Sequence, residues 1–356
     1  MDVSALNDKL PGVDQNALRQ SEARWDGIAK PLGSLGLLEK AVSKIAGLTG
    51  SADVALEKRA VLVLCADNGV VREGISQSTS AVTMAVAENL TRGKTSVCRM
   101  AAAARAEVIP VDMGMATRPA FPGLVDMRMG DGTGNIAAGP AMSRETALRA
   151  LESGITLARR CAEQGYQIVC TGEMGIGNTT TSSAVAAVLT GTAVSAVTGR
   201  GSGLTDEGLA RKIAVIEKAI SVNVPDPGDP LDVLAKLGGF DLAGMAGIFL
   251  GGALYRLPVV IDGFISSVSA LIAARLCPGA VCAMLPSHRS GEPAGALVLD
   301  ALGFKPLISA EMRLGEGTGA VALLPLLDLA LAVYHGSSAF EDIGVAAYQP
   351  LGGGGA

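Results

Sequence analysis

Gly172-Glu173-Met174-Gly175-Ile176-Gly177-Asn178-Thr179-Thr180 follows a β-branched run at 166–171 and precedes an apolar helical run at 182–189. A strand, a glycine-rich loop and a helix in that order present backbone N–H groups and the positive end of a helix dipole to an anion. Glycine lets the backbone approach that anion closely. The loop has neither the Gly-Lys-Ser/Thr of a nucleoside-triphosphate loop nor the GxGxxG of a dinucleotide fingerprint. A phosphate monoester suits it better. Glu173 stands out, because a carboxylate beside a phosphate site repels the ligand unless it has another task.

Working outward, further candidate strands at 60–66, 107–113, 258–262 and 281–285 alternate with helical patterns. This predicts an α/β fold, a parallel Rossmann-like sheet flanked by helices. In 143–163, Leu148, Leu151, Ile155, Ala158 and Ala162 recur at helical spacing, with Ser143 as N-cap and Gly165 as terminator. Thr205 caps a predicted helix over 206–222, and Asp229-Pro230 opens another. Residues 1–55 and 318–334 read as amphipathic helix without a strand. The two ends are therefore expected to meet in a small helical domain. That gives 1–55 as its first part, 56–304 as the large α/β domain, and 305–356 as a C-terminal segment that carries a second loop and completes the helical domain. The tail 351–356 reads as unstructured.

The 356 residues are 49% apolar and only 3% aromatic, with a net charge of −5. Nucleic-acid binding calls for clustered cations and stacking aromatics, so it is not expected. Six cysteines include no CxxC and there are two histidines, which argues against a metal site. Scattered cysteines and an N-terminus without an apolar signal core suggest a cytoplasmic protein. No membrane partner is expected: the run 242–255 falls short of the roughly 20 residues a bilayer needs, and 321–334 contains Pro325 and Asp328.

The second loop is Arg313-Leu314-Gly315-Glu316-Gly317-Thr318-Gly319, ahead of an apolar helix at 320–334. Its glycines expose Glu316 to whatever fills the cleft, and the helix start is expected to favour the ionised form by about 0.3–1 kcal/mol. An ionised carboxylate in an apolar cleft is a general base. An isolated Gly-Glu-Gly is more commonly just a helix-entry turn. A third stretch, 199–203 (GRGSG), can offer amides to an anion, and Lys212 downstream can add a point charge. His288, after the strand at 281–285, is an acid/base candidate or a structural hydrogen-bonding residue.

Together these segments are more specific than any one of them. The chain resembles the nicotinate-nucleotide–dimethylbenzimidazole phosphoribosyltransferases of cobalamin assembly. The resemblance rests on 172–180 (GEMGIGNTT) and 314–320 (LGEGTGA), supported by 30–39 (KPLGSLGLLE), 66–70 (ADNGV), 132–136 (GTGNI), 199–203, 238–240 (GGF) and 262–265 (DGFI). It implies nicotinate mononucleotide as donor, 5,6-dimethylbenzimidazole or a related base as acceptor, and α-ribazole 5′-phosphate and nicotinate as products. It implies Glu316 as the base that takes the proton of one acceptor nitrogen while the other attacks C1′. Leu314 is placed beside the acceptor ring and Glu173 near the ribose and acceptor. Gly175, Ile176, Gly177, Gly201, Lys212, Gly263, Ser290 and Arg313 are placed around the nucleotide and its phosphate. No cofactor or metal is implied, and family members are homodimers.

Three departures qualify the match. Asn68 stands where the family usually has His. In 76–83 (SQSTSAVT), Thr79, Ser80 and Ala81 replace the usual Pro, Gln and Glu, which leaves a purine or phenolic acceptor open. At 335–340 (HGSSAF) the family's Met-x-Thr-Phe is absent. The rival readings are a non-catalytic protein that binds a nucleotide or cobamide precursor, and a related transferase with another acceptor.

Overall fold

The structure, a computed structural model, describes residues 5–201 and 203–348; the tail reading at 351–356 lies outside the described residues. Six strands form one parallel sheet: β1 (Arg59–Ala66), β2 (Ala106–Gly114), β3 (Val125–Asp126), β4 (Ile168–Met174), β5 (Val259–Ile261) and β6 (Met284–Pro286). Their order is β3-β2-β1-β4-β5-β6. The order reverses between β1 and β4, so a crevice opens at the carboxyl ends of those two strands.

The sequence reading needs correction at element edges. β4 starts at Ile168 and runs on to Met174, so Gly172 and Glu173 belong to the strand and the loop is shorter than expected. The following helix starts early, at Asn178. Residues 281–283 are not strand, because Pro278–Ala283 forms a 3-10 turn ahead of β6. β3 was missed; two residues carry no periodicity. The capped helices stand as read: Ser143, Thr205 and Asp229 each accept first-turn amides with their side chains.

Residues of β1 alternate between two cores. Ala60, Leu62, Leu64 and Ala66 face a layer that includes the helices Arg144–Glu163 and Phe240–Leu254. These two helices cross at glycine, where a Cβ on Gly154 would stand 1.9 Å from the Gly244 carbonyl oxygen and one on Gly247 would stand 2.1 Å from that of Leu151. Val61, Val63 and Cys65 face the opposite layer, built from Ser80–Thr91, Ser96–Ala103 and helices of both chain ends.

The two ends do meet. Ile28 bridges to Ala339 in antiparallel fashion, and the Trp25 and Tyr334 rings lie 4.8 Å apart. The C-terminal helix Thr318–Gly336 has the length and apolarity of a membrane span. In this fold its inner side, with Leu323, Leu324 and Leu327, joins the core under β1 and β4. Its Asp328 pairs with buried Arg59 and with exposed Arg105.

Candidate active site

The crevice between β1 and β4 holds a cavity of about 250 Å³. Its floor exists because the chain leaving β4 passes directly over the end of β1. A Cβ on Gly175 would stand 2.2 Å from the Ala66 carbonyl oxygen. Thr83 fixes this wall: its hydroxyl donates to Asp67 Oδ1 at 2.7 Å and accepts the Ile176 amide at 3.2 Å.

The two glycine-rich loops interlock. A Cβ on Gly172 would stand 2.4 Å from the Glu316 carbonyl oxygen, and one on Gly315 would stand 2.6 Å from Glu173 Oε1. Gly315, Glu316 and Gly317 have φ of +87°, +59° and +91°, so three consecutive residues are left-handed. For glutamate that conformation is uncommon and costs roughly 1–3 kcal/mol. The contacts at Gly172 and Glu173 hold it in place.

The local electrostatics differ from the expectation for Glu316. The start of the helix Thr318–Gly336 is engaged by Asp262 at the end of β5, whose carboxylate accepts the Gly317 amide at 3.2 Å and the Ala320 amide at 2.9 Å. Glu316 instead reaches the first turn of Ser96–Ala103, where its Oε2 accepts the Val97 amide at 3.4 Å. Burial raises the Glu316 pKa above the ordinary glutamate value, although Val97 and the Thr95 hydroxyl oppose the shift. The expected bias toward the ionised form is therefore reversed. A base lifted toward neutrality is better matched to taking a proton at physiological pH.

Glu173 is more strongly affected. It is buried, and desolvation together with the charge of Asp241 lifts its pKa to about 8. Asn178 hydrogen-bonds Glu173 Oε2 and Asp241 Oδ2 through the same amide nitrogen.

At the other end of the cavity Lys212 is 1% exposed. The helix Asp206–Asn223 turns it inward to the cavity. Its Nζ donates to Thr179 Oγ1 at 2.9 Å and to the Gly199 carbonyl at 3.2 Å. An ammonium has three protons, so one remains for a ligand. Burial lowers its pKa to about 8, against the opposing charge of Glu292. The amides of Ile176, Asn178, Thr180 and Thr181 already serve Thr83, Gly175 and Gly177. The backbone cradle for an anion is therefore narrower than the glycine count suggested.

All of the residues singled out from the sequence line this one cavity: Glu173, Gly175, Ile176, Gly177, Gly201, Lys212, Gly263, Ser290, Arg313, Leu314 and Glu316. His288 lines it too, with Nδ1 2.9 Å from Ser287 Oγ and its ring flat against Gly319. Sequence reasoning missed Thr179, Asp262 as the helix partner, Asn178, and Asp241 behind it. Asp262 stood in the matched DGFI segment and Asp241 just after GGF, but nothing in either motif says what the side chain faces. Of the departures, Thr79 and Ala81 are exposed and lie outside the cavity lining, whereas Ile75 and Ser76 belong to it.

A family model described as phosphoribosyltransferase matches residues 10–345. The chain is 46% identical over 329 residues to the nicotinate-nucleotide–dimethylbenzimidazole phosphoribosyltransferase of Acetivibrio thermocellus, covering 92% of this chain and 94% of that one. It is 47% identical over 334 residues to the protein of the same name from Chloroflexus aggregans, covering 94% and 95%. The crystal structure of CobT from Thermus thermophilus superposes with a TM-score of 0.88 at 40% identity, covering 93% of this chain and 99% of that one.

Proposed function

The chain belongs to the nicotinate-nucleotide–dimethylbenzimidazole phosphoribosyltransferase family, and from that premise we infer how its cavity carries the reaction. The enzyme transfers phosphoribosyl from nicotinate mononucleotide to 5,6-dimethylbenzimidazole, in the assembly of the cobalamin nucleotide loop. The donor's phosphate goes to Lys212, Thr179 and Gly201. The acceptor lies against Leu314 with its ring N–H toward Glu316. One ring nitrogen attacks C1′ from the face opposite nicotinate, the other passes its proton to Glu316, and nicotinate leaves with the electron pair of the broken C–N bond. Nicotinate is a fair leaving group because its ring nitrogen is quaternary in the nucleotide. The protein then has to remove one proton and hold two reactants in line, which supplies several kcal/mol of barrier lowering.

What supports this reading is the close approach of Gly172 to the Glu316 backbone, with Glu316, Thr179 and Lys212 all lining one cavity. Thr79, Ser80 and Ala81 are all absent from the cavity lining, so these departures do not argue against a benzimidazole acceptor. The test is nicotinate release by purified protein given nicotinate mononucleotide and a panel of bases. Dimethylbenzimidazole is expected to give the highest kcat/KM; a strong preference for a phenol would reassign the acceptor.

A homodimer is consistent with the family and with the outer side of the C-terminal helix, where Leu329 is 64% exposed beside Pro325 and Leu326. Light scattering at micromolar concentration tests it. Cysteines that all stand free fit a reducing, cytoplasmic setting.

A further inference from the structure

A run of buried polar groups leads from the cavity wall, at Glu173 and Asn178, back to Asp241; the three stand on different elements and the transfer step above does not use them. We propose that Asp241 and Asn178 are positioning residues for Glu173: Asp241 keeps it a neutral carboxylic acid, and Asn178 fixes its proton on Oε1. Glu173 then donates a hydrogen bond to an oxygen of the bound sugar and does not compete with Glu316 for the acceptor's proton. This rests on the assignment of the cavity to the phosphoribosyl donor.

The geometry decides which oxygen carries the proton. Asn178 Nδ2 has two hydrogens, and they go to Glu173 Oε2 and to Asp241 Oδ2. Oε2 is therefore the accepting, carbonyl-like oxygen of Glu173, which leaves Oε1 for the proton. Oε1 lies against Gly315, another lining residue, where a Cβ would stand 2.6 Å from it. Glu173, Lys212 and Glu316 line the same cavity.

The charges around the site point the same way. The groups acting on Glu173 are Asp241 from the helix Phe240–Leu254, Asp262 beyond β5 and Glu316 from the second loop, all of its own sign. Cys65 on neighbouring β1 is buried, and its thiol is pushed well above the ordinary value, so it stays uncharged. Asp241 is the better anion of the pair. It sits in the first turn of its helix, its Oδ1 accepts the Leu242 amide at 2.9 Å, and its pKa rises only to about 6 against about 8 for Glu173. Neighbouring carboxylates that cannot both ionise divide in this way, and the one left neutral becomes a donor.

The test is the pH dependence of kcat at saturating nicotinate mononucleotide, where the separate effect of Lys212 on donor binding is suppressed. Wild type is expected to show an alkaline limb as Glu173 loses its proton. Glu173→Gln, whose amide is also a neutral donor, is expected to lower kcat about tenfold near pH 7 and to remove that limb; Glu173→Ala is expected to lower it about a hundredfold. Asp241→Asn removes the charge that holds the proton on and is expected to move the limb to lower pH by about one unit. A purely structural Asp241 would lower stability without moving the limb. Because Asp241→Asn can also fail to fold, the wild-type protein supplies a second readout. Its infrared spectrum at pH 7 is expected to contain the C=O stretch of a protonated carboxylic acid that Glu173→Gln lacks. Absence of that band, or an alkaline limb that persists unchanged in Glu173→Gln, would overturn the proposal. Neither result touches Glu316, which is read on the acid limb and in its own variant.

Discussion

The two ends of the cavity are desolvated alike but carry opposite charges. At one end a lysine is buried, and at the other stand two glutamates. Burial moves Lys212 down to about 8 and moves Glu173 and Glu316 up, so at each end it favours the uncharged form. The difference lies in what restores the charge. If the donor's phosphate binds here as proposed, it adds a second anion to Glu292 beside Lys212, and donor binding is then coupled to the lysine's protonation. At the other end the proposed base needs no cation, because a carboxylate whose pKa burial raises holds an accepted proton more firmly. On the proposed reading one end binds the donor and the other transfers a proton, and burial acts on the two with opposite sign.

That contrast can be broken experimentally. The largest effect is expected from Glu316→Gln. It is expected to lower kcat by about 10²–10⁴, the typical range for losing a general base, with donor affinity by calorimetry unchanged. In wild type the acid limb of kcat is expected above the ordinary glutamate range, since activity disappears as pH falls through a raised pKa. An acid limb at the ordinary value would mean that a different group takes the proton.

Next comes Lys212→Ala, expected to raise the KM for nicotinate mononucleotide by about 10–100-fold, the scale of one charge-assisted contact in a desolvated site, with kcat at saturation changed far less. In wild type, donor affinity is expected to weaken as pH rises past about 8. If kcat and KM moved together, the separation between the two ends would not hold.

Gly172→Ala sharpens the comparison by disturbing only one end. Its methyl would stand 2.4 Å from the Glu316 carbonyl oxygen, so the second loop must shift. A loss in kcat of about tenfold is expected, with donor KM little changed and a stability cost of about 1–3 kcal/mol seen in denaturant titration.

The smallest effect on turnover is expected far from the cavity. Asp328→Asn weakens the pair with Arg59, whose side chain is 3% exposed, and is expected to lower stability by about 1–3 kcal/mol while kcat stays at the wild-type value. Asp328 has a lowered pKa in the folded state, so its contribution is present above the unfolded aspartate value and is lost as pH falls through the folded one. The stability difference between wild type and variant is therefore expected to shrink in acid.

Family motifs in the sequence pointed to many of the cavity residues, though not to Thr179, Asn178 or Asp262; the sequence by itself determined the alternation of strands and helices and the capped helix starts at Ser143, Thr205 and Asp229. These are local properties: periodicity, cap chemistry and the composition of short loops. The tertiary structure alone decided that Glu173 lies within β4, that Asp262 and not Glu316 occupies the start of the last helix, and that Asp241, far along the chain, sits behind Glu173. It also decided that Lys212 faces inward. Which anion meets which amide, and how much water each keeps, depends on contacts between residues tens to hundreds of positions apart. Burial, which sets the protonation of every group in this cavity, exists only once those contacts have formed.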